Sequence, residues 1–258
     1  MHLHLIQLDI AWEDKQANHD RVRRLVEASP PPAGSLVLLP EMFDAGFSMH
    51  VAATAQSAAR ESEAFLRALA RDCHAAVLGG VAAPLHEGRS RNEAAAFAPD
   101  GSELLRYVKR QPFTPMHEHL HYPPGDRCPL ATWHGATFCT LICYDLRFPE
   151  LFRQPAREGA TLMAVIANWP EQRAAHWRTL LQARAVENQA YVVGVNRCGS
   201  DPYARYRGGS IVFDPQGVCL AEADDRPQVL GVEIDPAAAS DWRGRFPALR
   251  DARFLGTA

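Results

Sequence analysis

The chain has 258 residues, 47% of them apolar, and its 27 basic and 30 acidic side chains leave a formal charge of −3. That length and apolar content suit one large domain or two small ones with a sizeable core. A nearly balanced charge without a long basic block argues against a nucleic-acid partner or an anionic membrane surface. Residues 1–14 lack a basic leader followed by an apolar stretch and a small-residue cleavage site. No apolar run approaches the roughly 18 residues of a membrane span. The six cysteines stand at positions 73, 128, 139, 143, 198 and 219 with no CxxC pair, so a reduced, cytoplasmic protein is expected.

The first element is a strand over 3–10. Ala17, Val22, Leu25 and Val26 then recur at helical spacing over 14–28, and Pro30-Pro-Pro32 ends that helix. A short buried strand covers 35–39 and stops at Pro40. A helix over 57–70 gathers Phe65, Leu66, Leu69 and Ala70 on one side, and a strand over 76–81 follows. Two hairpins are marked by turn chemistry. One joins 94–97 to 104–108 across Pro99-Asp-Gly101, and the other joins 210–213 to 218–221 across Pro215-Gln-Gly217.

Residues 110–130 form the longest irregular stretch, rich in Pro and His. A buried strand over 137–143 precedes a helix over about 149–158, a strand over 162–167, a helix over 172–188 and a strand over 191–196. A last strand over 229–234 leads into a polar tail. Helices interleaved with strands predict an α/β fold with a mixed sheet. With no repeat and no linker composition, 1–258 reads as a single domain.

Three chemically distinctive residues stand where apolar runs stop: Glu41 in Leu39-Pro-Glu-Met-Phe43, Lys109 in Tyr107-Val-Lys-Arg-Gln111, and Cys143 at the end of Thr137-Phe-Cys-Thr-Leu-Ile-Cys143. Catalytic groups of α/β folds gather at strand carboxyl ends. A thiol held at the mouth of a loop is oriented for attack on a carbonyl, a carboxylate takes its proton and later activates water, and an ammonium stabilises the anions that form. A cation beside the thiol predicts partial ionisation. Each residue also has a plain alternative, because a lone buried cysteine is usually a small hydrophobe, a glutamate after proline is often a helix cap, and a lone lysine is usually solvated.

His117-Glu-His-Leu-His121 matches the zinc-protease pattern, which works only where residues four apart share a helical face. Pro115 and Pro123-Pro124 leave no room for such a helix, so no metal site is predicted. Cys139, four residues before Cys143, reads as core, and Glu187 near the end of its helix as a structural or interface acid.

These pieces together resemble the nitrilase superfamily of carbon–nitrogen hydrolases over essentially the whole chain. Besides the Glu41 and Lys109 segments, the resemblance is carried by Leu141-Ile-Cys-Tyr-Asp-Leu-Arg-Phe-Pro149, Ala167-Asn-Trp-Pro170 and Arg184-Ala-Val-Glu-Asn-Gln-Ala-Tyr191. It implies a four-layer α-β-β-α sandwich with Glu41 as general base, Lys109 as oxyanion stabiliser and Cys143 as nucleophile. The backbone N–H of Tyr144 becomes a second oxyanion donor. A further glutamate, Glu118, is placed near the thiol to orient the lysine or the substrate amide, its alternative being a solvated loop acid. No cofactor or metal is implied, and a homodimer is. One departure is Lys109-Arg-Gln-Pro-Phe113, where the family usually has His-Leu-Phe shortly after the lysine.

Within the superfamily, Leu39-Pro-Glu-Met-Phe43, Glu118-His-Leu-His-Tyr122 and Ala167-Asn-Trp-Pro170 look most like the ω-amidase branch. That branch implies hydrolysis of the terminal amide of small 2-oxo dicarboxylic acid monoamides, completing methionine-salvage transamination. Arg147, four residues past the thiol, is expected to clamp the substrate carboxylate with its two-pronged donor geometry, or else to be a surface arginine. Trp169 and Phe43 are expected to wall the pocket, with a core position as the alternative for the tryptophan. Another amidase or N-carbamoyl hydrolase of the same superfamily, and a non-catalytic ligand-binding protein of the same fold, are the competing readings.

Overall fold

Strands whose residues are apolar on both faces must be covered on both sides, and this chain supplies two sets of them. The computed structural model describes residues 1–252, so the expected domain end at 258 lies outside the described residues. The first half contains β1 (His2–Gln7), α1 (Lys15–Ala28), β2 (Leu36–Leu38), α2 (Val51–Thr54), α3 (Glu61–Cys73), β3 (Ala76–Ala82), β4 (Asn92–Phe97), β5 (Glu103–Val108) and α4 (Glu118–His121). The second half contains β6 (Ala131–Trp133), β7 (Ala136–Ile142), α5 (Glu150–Arg157), β8 (Leu162–Ala167), α6 (Ala174–Asn188), β9 (Tyr191–Asn196), β10 (Cys198–Ser200), β11 (Arg205–Arg207), β12 (Ile211–Phe213), β13 (Cys219–Glu222), β14 (Gln228–Glu233), α7 (Ala238–Arg245) and α8 (Ala248–Asp251).

One six-stranded sheet has the order β14-β1-β2-β3-β4-β5 and the other β13-β12-β9-β8-β7-β6. β1, β2 and β3 run parallel, as do β7, β8 and β9, with antiparallel strands at the flanks. Alternation along the strands makes the layers. Leu3, Leu5, Leu36, Leu38 and Leu78 point toward the second sheet, whereas Ile6, Val37 and Val77 pack under Val22 of α1 and Phe65, Leu66 and Leu69 of α3. On the far side Trp177, Leu181 and Ala185 of α6 and Phe152 of α5 cover the second sheet. The result is helix, sheet, sheet, helix, the four layers that the family resemblance implied.

Local chemistry sets the element ends. Asp14 caps α1 by accepting the Ala17 N–H at 3.0 Å. Beyond β14 the expected polar tail is two helices, α7 and α8. Arg243 of α7 fastens the first of them by donating to the carbonyls of Ala160, Asn188 and Gln189, a polar anchorage that hydrophobic periodicity does not reveal.

Candidate active site

The parallel strands of both sheets end at one place. Glu41 follows β2 through Leu39 and Pro40, Lys109 follows β5, Cys143 follows β7 and Asn168 follows β8. Asn92 opens the antiparallel β4, which brings it to the same end. The crossing is tight: Gly80 of β3 donates to the Pro40 carbonyl and accepts from the Phe43 N–H. A Cβ on Gly80 would lie 2.5 Å from Glu41 Cα.

Glu41, Lys109 and Glu118 are all buried. Lys109 Nζ lies 2.8 Å from Glu41 Oε1 and 3.0 Å from Glu118 Oε2. The Asn92 side-chain nitrogen donates to both carboxylates, at 2.8 Å to Glu41 and 2.9 Å to Glu118. Only an amide NH₂ directed at the two acids satisfies both acceptors. On its other oxygen Glu41 accepts the Asn168 backbone N–H at 2.9 Å and, more loosely, the Asn168 side-chain amide at 3.3 Å. Burial by itself raises the Glu41 carboxyl, but the Lys109 charge and these donors outweigh it and hold it below the usual carboxylate value. Burial disfavours the Lys109 ammonium, and the charges of Glu118, Glu41 and Cys143 reverse that, so it stays protonated well above the ordinary lysine range.

Cys143 sits at a sharp exit from its strand, with φ of 48°, a conformation few non-glycine residues adopt. Asp145 holds this elbow. One of its oxygens accepts the Ile142 N–H at 2.9 Å and the Tyr107 hydroxyl at 2.7 Å, and the other accepts the Gln111 N–H at 2.8 Å. The ends of β5 and β7, and with them lysine and thiol, are thereby fixed to each other. The thiol faces the Asn168 carbonyl at 3.8 Å. Its ionisation differs from the expectation. Burial first, and then the Glu41 charge, push the thiol well above its ordinary value, with Lys109 offsetting them only in part. One ammonium between two carboxylates already leaves a net negative charge, so a second buried anion is disfavoured.

Cys143 opens on a cleft of about 350 Å³ walled by Phe47, Phe113, Tyr144, Trp169 and Arg147, and lined also by Asp201 and Tyr206. Arg147 lies over the Trp169 ring at 4.9 Å and meets His176 Nδ1 at 3.3 Å. Phe113 and Tyr144 pack edge to face at 5.0 Å. Phe43 does not reach this cleft. It packs instead between the first sheet and its helices, 5.7 Å from His19 and 5.8 Å from Phe65, so the aromatic that follows Glu41 into the site is Phe47. The His-rich segment has His117 in a left-handed turn (φ 56°) outside the single helical turn of α4, which separates it from the face that carries His121. Among the described residues no group of three or more His, Cys, Asp or Glu side chains is arranged to hold a metal ion.

The carbon–nitrogen hydrolase family profile matches residues 3–244. The chain belongs to the carbon–nitrogen hydrolase family. "Omega-amidase YafV" of Escherichia coli (strain K12) is 39% identical over 96% of this chain and 95% of its own length. "2-oxoglutaramate amidase" of Bacillus subtilis (strain 168) is 30% identical over 96% of each. Among solved structures, XC1258 from Xanthomonas campestris, a CN-hydrolase superfamily protein with an arsenic adduct in its active site, superposes with a TM-score of 0.92. It is 34% identical, and the match covers 100% of this chain and 99% of that one.

Several residues of this carbon–nitrogen hydrolase's site escaped the sequence reading. Asn168 and Asp145 lay inside quoted segments without a role, and their place just past buried strands was the available signal. Asn92 had no signal, because its partners are 51 and 26 residues away. Glu187, set aside as structural, pairs with Arg184 at 2.9 Å.

Proposed function

We propose that this carbon–nitrogen hydrolase is an ω-amidase, releasing ammonia from the terminal amide of 2-oxoglutaramate-like monoamides through a thioester on Cys143. What carries the reading is the joint presence of the buried Glu41–Lys109–Glu118 cluster beside the Cys143 elbow and of Arg147 in the same cleft. Full-length similarity to an ω-amidase and a 2-oxoglutaramate amidase supports the substrate class.

In this account Glu41 takes the thiol proton as the sulfur bonds to the amide carbon, so a free thiolate never accumulates against the raised thiol pKa. The carbonyl oxygen becomes an oxyanion. Lys109 donates one N–H to Glu41 and pairs with Glu118 through its charge, and a remaining N–H is directed to the oxyanion together with the Tyr144 N–H. The first N–H groups of a helical turn have no partner within it, which leaves the Tyr144 N–H available. Glu41 returns the proton to the departing nitrogen, ammonia leaves, and Glu41 then deprotonates the water that cleaves the thioester and passes that proton to the departing sulfur, which restores the thiol. Glu118 and Asn92 keep Lys109 and Glu41 in place. Arg147 holds the carboxylate of the substrate.

The test is ammonia release from 2-oxoglutaramate, glutamine, a simple aliphatic amide and an N-carbamoyl amino acid. The reading requires 2-oxoglutaramate to have the highest kcat/KM, and a win for the simple amide or the carbamoyl compound removes the ω-amidase assignment. We further propose a cytoplasmic homodimer serving methionine-salvage transamination. Exposed Val186 on α6 and the neighbouring Val218 and Leu220 offer an apolar contact face. Light scattering that returns a monomer at micromolar concentration contradicts the dimer.

A further inference from the structure

The cleft holds a second guanidinium. Arg173 lines it, half-buried, on the turn that leads into α6. Its guanidinium lies 5.4 Å from the centre of the Phe113 ring. Its carbonyl accepts the Trp169 indole N–H at 2.7 Å, which fixes it to the same tryptophan that Arg147 covers.

Apart from the Phe113 ring, the described residues give this charge no partner. Among the described residues the Arg173 side chain donates to no acceptor and pairs with no carboxylate. Its neighbour Glu171 faces Arg205 at 3.9 Å. Asp201, which also lines the cleft, is already satisfied by the Tyr206 hydroxyl at 2.6 Å, by the backbone N–H groups of Tyr203 and Ala204 at 2.8 Å, and by Arg197 at 3.8 Å. Helix electrostatics do not explain it either. Arg173 stands at the N-terminal end of the 15-residue α6, whose first turn has no acidic residue, where the macrodipole opposes a cation.

We propose that Arg173 is a second specificity-determining residue, which holds the anionic end of the substrate together with Arg147. The inference rests on the ω-amidase reading and deepens it. A 2-oxo acid end presents three acceptor oxygens. Arg147 has one of its nitrogens engaged with His176, so a second fork completes the cradle with charge-assisted bonds.

The test compares kcat/KM of the wild type, Arg173→Gln, Arg173→Lys and Arg147→Gln on 2-oxoglutaramate and on pentanamide, a neutral amide of the same chain length. Arg173→Gln is expected to lower kcat/KM for 2-oxoglutaramate about tenfold or more, the scale of a lost charge-assisted pair, and to leave pentanamide within about twofold. Arg173→Lys keeps the charge and should restore part of the loss. An equal loss on both amides would mean that Arg173 merely props Phe113, and would overturn the proposal, as would no loss on either. If the wild type itself shows no preference for 2-oxoglutaramate, the ω-amidase reading fails and this inference falls with it. If that preference is present and survives in Arg173→Gln, only the role of Arg173 is lost.

Discussion

Gly80 and Glu41 touch backbone to backbone: a Cβ on the glycine would stand 2.5 Å from the glutamate Cα and 2.7 Å from the Met42 nitrogen. The missing side chain lets the segment after β2 cross β3 and deliver a carboxylate into the site. Because the obstacle is main chain, it cannot rotate out of the way. Gly80→Ala is therefore predicted to shift Glu41 and to cost about 1–3 kcal/mol of stability through overpacking. With Glu41 as the proposed base, a displacement near 1 Å should lower kcat about 10²-fold. Thermal melts and steady-state rates on the same sample check both, and a normal kcat in a folded Gly80→Ala protein contradicts the assigned placement.

The charges around Cys143 set a pH behaviour opposite to that of a preformed thiolate. Glu41 has its pKa below the usual 4.5, so its basic form persists as pH falls to that point, whereas the thiol is raised above 9.0 and stays protonated through neutrality. kcat/KM should accordingly be level from about pH 5 to about pH 9 with respect to these two groups. The rate of alkylation by iodoacetamide should keep climbing past pH 9 as the thiolate fraction grows. A plateau of the alkylation rate near pH 7 would show that the thiol is already ionised, and would reinstate the ionisation read from sequence.

Arg147 reaches the cleft from the turn that begins at Cys143, and its stacking on Trp169 holds the guanidinium in place. A charge-assisted pair with a substrate carboxylate contributes roughly 1.5–3 kcal/mol, so Arg147→Ala should lower kcat/KM for 2-oxoglutaramate by about 10–150-fold. The loss on an amide without a carboxylate should be much smaller. An equal loss on both would make Arg147 a structural partner of Trp169.

Much of this was legible in the chain because apolar runs stop abruptly at chemically distinctive residues. β8 and β9 were read to the residue, and Glu41, Lys109 and Cys143 were picked out by their position just past strands. What the sequence hid depends on contacts between distant segments. Asn92 acts by bridging two acids from distant segments, and Asp145 by tying the end of β5 to the turn after β7. Neither dependence leaves a local pattern. Phe43 was misplaced because the chain bends past Glu41: Met42 has a positive φ of 42°, and the turn sends Phe43 toward the helices and Phe47 into the cleft. The thiol's ionisation was misjudged because one cation was counted without the two buried carboxylates that outnumber it.

The central claim is that the Cys143 sulfur forms a covalent acyl intermediate under the control of Glu41. The direct measurement is rapid acid quench of the enzyme during turnover of 2-oxoglutaramate, followed by peptide mass spectrometry. The account predicts an increment equal to the substrate less ammonia on the peptide that contains Cys143, and its absence in Cys143→Ala and Glu41→Gln. Turnover that continues in Cys143→Ala, or an acyl group found on any other residue, contradicts it.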